Sequence, residues 1–230
     1  MIAPPEDGLA EPPAPGKPAP AGVDSTDGTA RCGSAADPLA FRYEFARKGI
    51  HLATVAVPIA VWFLPSAWAF GLLLTGMLGA LAVEWARARV RWARHVFLTG
   101  TRRLLRAHER KGLAGATYMA IAYLLAYLIF PLHVAVAAML YAALGDAAAA
   151  LVGKRWGRHR TGNGKSWEGA AGGFAVNVVI GTAIPGLLVL PAAMGAAAAA
   201  LVELAPIEID DNLLVTLVGG AGLWAATAIL

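Results

Sequence analysis

The sequence predicts an all-α integral membrane protein with about seven transmembrane helices, and three observations predict it. Hydrophobic residues make up 58% of the 230-residue chain and mean hydropathy is +0.59, above what ordinary soluble domains carry. Charged residues are only 15% of the chain and they cluster, where a soluble surface would intersperse both signs. The uncharged stretches between clusters recur at lengths near those of a membrane-crossing helix, roughly 17 to 25 mostly apolar residues.

Residues 1–38 hold Pro4, Pro5, Pro12, Pro13, Pro15, Pro18 and Pro20 among Gly, Ser and Asp, with almost no large apolar side chain. Such a segment buries too little surface to offset its ordering entropy and reads as a disordered tail. It lacks the apolar stretch of a signal peptide and contains Glu6, Asp7 and Glu11. Residues 39–230 form the expected polytopic domain. Seven apolar runs follow, at 49–64, 66–83, 113–130, 132–152, 169–184, 186–204 and 213–230. Pro65, Pro131 and Pro185 mark tight connections within pairs, and Pro191 predicts a kink in the sixth run. Between the second and third runs, Trp85, Trp92, Phe97, Leu98, Leu104 and Leu105 alternate with arginines, the composition of a helix lying at the lipid interface and serving as a topology anchor.

Orientation follows from the cations. Arg42, Arg47 and Lys48 precede the first run, nine basic residues lie from Arg87 to Lys111, and Lys154, Arg155, Arg158, Arg160 and Lys165 follow the fourth. With seven spans these groups share one side, which the positive-inside rule makes cytoplasmic together with the amino terminus. The connections at Pro65, Pro131 and Pro185 carry no charge. Cytoplasmic loops are thus expected near 85–112, 153–168 and 205–212, and the last brings Glu203, Glu208, Asp210 and Asp211 to the same face. The net charge of +4 is accounted for by this topology rather than by nucleic-acid binding. Cys32 is the single cysteine, which excludes an intramolecular disulfide and a cysteine metal cluster.

Asp146 is the most informative position. It stands inside an apolar run, after Gly145 and before Ala147 to Ala150, where a carboxylate costs several kcal/mol and implies a partner or a task. Behind it, residues 153–169 contain five cations, and Gly153, Gly157, Gly162 and Gly164 precede Lys165 and Ser166. Glycines let backbone N–H groups approach an anion and the cations supply charge, so the loop suits a polyphosphate, although its spacing is not that of a Walker A loop. A basic loop that only sets topology has a similar composition. Ahead of the last run, Glu203, Glu208, Asp210, Asp211 and Asn212 gather oxygen ligands of the kind Mg²⁺ takes, while one of them would serve as an ordinary helix N-cap. Glu44, Lys48 and His51 share a face of the first helix, and Glu84 lies one turn before Arg87. Interfacial salt bridges account for both sets. His95, His108, His133 and His159 have no ligand spacing.

With Arg47, Lys48 and His51 opening the first run, then Gly145, Asp146, Ala150, Gly153, Gly157, Lys165, Glu168 and Gly169, and later Glu203 to Pro206 followed by Asp210, Asp211 and Asn212, residues 41–230 resemble the CTP-dependent lipid-alcohol kinases. That family includes dolichol kinase, phytol kinase and the CTP-dependent diacylglycerol kinases. Gly164, Lys165 and Ser166 depart from the Lys-Lys-Thr common in dolichol kinases, and Ala147 from the Gly-Asp-Gly of many phytol kinases. The resemblance implies transfer of the γ-phosphoryl group of CTP to a polyprenol, dolichol, phytol or diacylglycerol hydroxyl, in a bacterial or archaeal plasma membrane, with Mg²⁺ as cofactor. It implies catalytic roles for Asp146, Lys48 and His51. Nucleotide binding falls to Gly145, Gly153, Lys154, Arg155, Gly157, Lys165, Ser166 and Glu168, and metal binding to Asp146, Asp210, Asp211 and Asn212. Glu84, Arg87 and Glu203 would support them. Two alternatives remain: a cytidylyltransferase of lipid phosphates, whose longer carboxyl-terminal signature is missing here, and a small transporter with an intramembrane Asp, although no internal repeat is visible.

Overall fold

Inside a bilayer no water satisfies backbone N–H and C=O groups, so an apolar run closes its own hydrogen bonds as a helix. A computed structural model describes residues 49, 52–93, 95–96, 113–207 and 209–229, and every described element is helical. We number them α1 (Ala56–Phe63), α2 (Ser66–Arg89), α3 (Gly115–Ile129), α4 (Leu132–Trp156), α5 (Trp167–Ala183), α6 (Val189–Leu204) and α7 (Asp211–Ile229). Helix α4 is continuous but changes pitch: Tyr141–Gly145 is a π turn between Leu132–Leu140 and Asp146–Trp156. Helices α2, α4 and α7 are long and apolar enough to cross a membrane, while α3 and α6 are apolar but shorter. The expected tail, Lys48, His51, residues 97–112 and Glu208 lie outside the described residues.

Three elements differ from expectation. Helix α1 covers only Ala56–Phe63 of the expected 49–64 and follows a turn at Thr54 and Val55. Helix α2 runs six residues beyond the expected 83, because Trp85 to Arg89 contain no breaker and Arg87 and Arg89 suit the negative end of the helix dipole. Pro191 does not kink α6. It is the third residue of that helix and fully buried, in the first turn where amides have no intrahelical acceptor and proline removes nothing. The break falls earlier, at Pro185 and Gly186, where Gly186 adopts φ +88°, a conformation that costs glycine little.

Small side chains draw the helices together. Along α4 the row Tyr141, Gly145, Ala149 and Gly153 faces the α5 row Gly181, Asn177, Gly173 and Gly169 in antiparallel register. A Cβ on Gly173 would lie 3.1 Å from that of Ala149, and one on Gly169 would lie 2.7 Å from the Ala149 carbonyl oxygen. Closely approaching backbones replace the hydrophobic drive that lipid cannot supply. The α6 and α7 seam uses Gly195 against Leu223 in the same way.

Hydrogen bonds gather the polar helix ends at one end of the bundle. Glu84, late in α2, accepts from the Arg87 side chain, from Ala114 N–H at 2.8 Å and from Thr117 Oγ1 at 3.1 Å, tying α2 to the start of α3. Asn212, in the first turn of α7, reaches the Gly115 carbonyl. Lys165, just before α5, meets Asp211 of α7. At the opposite end, Tyr127 of α3 donates to the Ser66 carbonyl of α2 at 3.1 Å.

Candidate functional site

At the polar end, a cavity of about 640 Å³ opens between the carboxyl-terminal half of α4, the loop after it and the turn between α6 and α7. Asp146 is the α4 residue of its wall farthest along the chain from the loop, followed by Ala149, Ala150, Gly153 and Lys154. Because i and i+4 residues stack on one helix face, a carboxylate at 146 and a glycine and lysine at 153 and 154 border the same space. The loop contributes Arg160, Asn163, Lys165 and Ser166, and the acidic turn contributes Glu203 and Asp211.

The loop is a built hairpin. Arg160 pairs with Ser166 as an isolated bridge, Thr161 N–H donates to the Lys165 carbonyl at 2.7 Å, and Gly164 closes the turn at φ +81°. Its base is latched by Glu168, which accepts from His159 N–H at 3.1 Å and contacts His159 Nδ1 at 2.6 Å. The hydrogen bond from His159, with backbone donors, pulls the Glu168 carboxyl down to about 2. Its tip is pinned to the far wall by Asn163, whose Nδ2 donates to the Leu204 and Ala205 carbonyls at 3.2 and 3.4 Å, filling acceptors that the end of α6 leaves open.

Lys165 is the loop cation turned inward. Its Nζ lies 2.8 Å from Asp211 Oδ2, yet the nitrogen is buried with no aligned hydrogen bond among the described residues. Distance makes it an ion pair, but the angle leaves its donors unsatisfied, as buried donors seldom are. Across the cavity, Asp146, Glu203 and Asp211 balance Lys154, Arg160 and Lys165. A ligand that suits such a wall carries both signs.

The residues expected to act together therefore divide. Asp146, Gly153, Lys154, Lys165, Ser166, Glu203 and Asp211 share the cavity. Ser166 is also the N-cap of α5, accepting from Gly169 N–H at 3.1 Å. A Cβ on Gly153 or Gly157 would meet Ser166 Oγ at 2.8 or 2.7 Å, so both glycines serve the close packing of this cap. Gly145 packs against Asn177. Arg155 is exposed, its guanidinium 6.0 Å from the centre of the Trp156 ring. Asp210 is the N-cap of α7, accepting from Asn212 N–H at 3.0 Å and from its Nδ2 at 2.8 Å. Glu84 and Arg87 bond to each other and to α3. Sequence reasoning missed Arg160 and Asn163 as cavity residues; the visible signal for the latter was Asn163-Gly164, a turn dipeptide ahead of Lys165.

Compared with family models, with curated proteins and with solved structures, the chain matches none. The chemistry of the site therefore stands on its geometry. Among the described residues no three of His, Cys, Asp and Glu converge to hold a metal by themselves. Magnesium asks for less, since it is commonly held by one or two carboxylates together with substrate phosphates. Asp146, Glu203 and Asp211 offer such donors beside three cations, and the donor set fits that mode of binding.

Proposed function

We propose that this protein is a membrane-embedded kinase that transfers the γ-phosphoryl group of CTP to the hydroxyl of a lipid alcohol, of polyprenol, dolichol or phytol type or a diacylglycerol. One observation carries the reading: two segments far apart in the chain, one holding Asp146 and Lys165 and the other Glu203 and Asp211, line one cavity at the polar end of an apolar helix bundle. A lipid headgroup and a soluble nucleotide can both reach such a place. The resemblance of Asp146 to Gly169 and of Glu203 to Asn212 to the motifs of lipid-alcohol kinases suggests the nucleotide and the acceptor class.

Phosphoryl transfer asks for positioning and charge neutralisation more than for covalent chemistry. Lys154, Arg160 and Lys165 would hold the triphosphate, and Glu203 and Asp211 would hold Mg²⁺ against it. The ion would neutralise charge on the phosphates. The acceptor oxygen attacks the γ-phosphorus, the bond from that phosphorus to the β,γ-bridging oxygen breaks, CDP leaves, and the hydroxyl proton passes to Asp146. Lys48 and His51, outside the described residues, join this set by resemblance alone. The site is assigned to the cytoplasmic side by the positive-inside rule.

The test uses purified protein in nanodiscs, CTP labelled on the γ-phosphate or on the cytidine, and a panel of lipid alcohols and lipid phosphates. Label from the γ position on the lipid is the expected result. Cytidine label on a lipid phosphate identifies a cytidylyltransferase instead, and no label in any lipid removes both and favours transport.

A further inference from the structure

Exposed indoles mark the ends of the helices. On α2, Trp68 and Trp85 are 72% and 63% exposed and lie about 26 Å apart along the axis, near the thickness of a bilayer's hydrocarbon core. Indoles collect at both membrane surfaces, where the ring meets hydrocarbon and the N–H reaches the headgroups. Trp85 therefore sets the level of the surface at the polar end of the bundle. Two more exposed indoles stand at helix ends there: Trp156 is the last residue of α4 and Trp167 the first of α5.

The cations between and beside those two indoles divide. Lys154, Arg160 and Lys165 line the cavity. Arg155 and Arg158 do not; both are exposed, and neither meets a carboxylate among the described residues. Glu168, the acid closest in the chain, is taken up by His159. The Arg155 guanidinium lies 6.0 Å from the centre of the Trp156 ring, a contact that keeps cation and indole side by side. Topology asks only that cations lie on this side of the membrane. It does not account for two arginines placed between outward indoles at headgroup level, with no acid to neutralise them.

We infer that the α4–α5 connection binds an anionic phospholipid: Trp156 and Trp167 seat against the top of its acyl chains, and Arg155 and Arg158 hold its headgroup phosphate. A guanidinium presents paired N–H donors that match phosphate oxygens. Free phosphate would meet the same cations but not the indoles, which favour a ligand that continues into hydrocarbon. A zwitterionic lipid brings its own ammonium, which the arginines repel. The same hairpin carries Arg160, Asn163 and Lys165 into the cavity, so the lipid grips it by residues the cavity does not use. This lipid is not the acceptor of the proposed reaction, and its binding does not depend on that reading.

Tryptophan fluorescence of the full chain in nanodiscs tests this without nucleotide. The discs are phosphatidylcholine with a minor share of phosphatidylglycerol. Bromines near the headgroup end of the acyl chains are carried either by the phosphatidylglycerol or by an equal share of the phosphatidylcholine. Subtracting the signal of Trp156→Phe/Trp167→Phe isolates the two indoles. Brominated phosphatidylglycerol is expected to quench them as an about tenfold larger share of brominated phosphatidylcholine would, the scale of attraction by two surface cations. Arg155→Gln/Arg158→Gln, with the same subtraction, should make the two lipids equal. Arg89→Gln/Arg91→Gln removes as much charge at the end of α2 and should leave the preference in place, which separates a local site from net charge. All four arginines are exposed, so the fold is kept in both variants. Equal quenching by the two lipids in the wild type, or none, overturns the inference. So does a preference that survives Arg155→Gln/Arg158→Gln, or one that Arg89→Gln/Arg91→Gln abolishes as well.

Discussion

Helices α2 and α4 are matched in what hydropathy reads: 24 and 25 residues long, both with mean hydropathy 1.8 over their apolar windows. Yet 11% of the α2 window is buried in protein, against 67% of that of α4. Lipid tails are as apolar as leucine, so hydrophobicity does not draw a helix out of lipid into a bundle. Fit does. Helix α2 turns Trp68, Phe70, Leu72 and Leu78 outward, whereas α4 carries alanines and glycines that let α3, α5 and α7 close around it. Each helix also holds one carboxylate, and their fates differ. Glu84 is surrounded by Arg87, Ala114 N–H and Thr117, which makes it a structural tie between α2 and α3. Asp146 borders a cavity shared with Lys165 and Asp211.

The comparison breaks if the two carboxylates behave alike. Asp146→Asn is expected to lower γ-phosphoryl transfer about a thousandfold or more, the scale of a lost general base, with the unfolding midpoint nearly unchanged. Activity retained at the wild-type level takes that carboxylate out of the mechanism. Glu84→Ala should show the reverse. Removing one partner of a charge pair whose members are 11% and 9% exposed costs about 3 kcal/mol, read by denaturant unfolding in micelles, with KM for CTP unchanged. A silent but stable Glu84→Ala protein would place Glu84 with the chemistry instead.

Lys165→Met sharpens the contrast within the loop. It should raise KM for CTP about tenfold, as loss of a charge-assisted hydrogen bond does. Stability should hardly move, because Lys165 and Asp211 are 27% and 25% exposed and such pairs contribute little. Arg155→Met, on the exposed side, should leave KM as it is. The smallest effect belongs to the latch. Glu168 has a folded value of about 2 against an ordinary 4.5. A depressed carboxylate stabilises above its unfolded value and loses that contribution as pH falls from about 4.5 toward 2. In His159→Ala the largest cause of the shift is gone, and the Glu168 carboxyl ¹³C titration should move up toward 4.5.

Sequence alone determined that the described residues make apolar helices, that helices pair across Pro65, Pro131 and Pro185, and that most charged groups cluster in the other connections. These follow from local physics: backbone hydrogen bonding in lipid, proline at Pro65, Pro131 and Pro185, and the cost of burying charge. It also picked out Asp146, Lys165 and Asp211, since a carboxylate in an apolar run, a lysine after spaced glycines and acidic residues ahead of an apolar run are visible in the chain itself. Only the tertiary structure decided that Glu84 is a tie, that Asp210 and Ser166 are helix caps, that Lys165 turns inward while Arg155 turns outward, and that Asn163 belongs to the cavity wall while Asn177 packs in the α4–α5 seam. Each of those assignments depends on what a second helix presents across the contact, and complementarity between Gly145 and Asn177 is a property of two surfaces that no single stretch of chain contains.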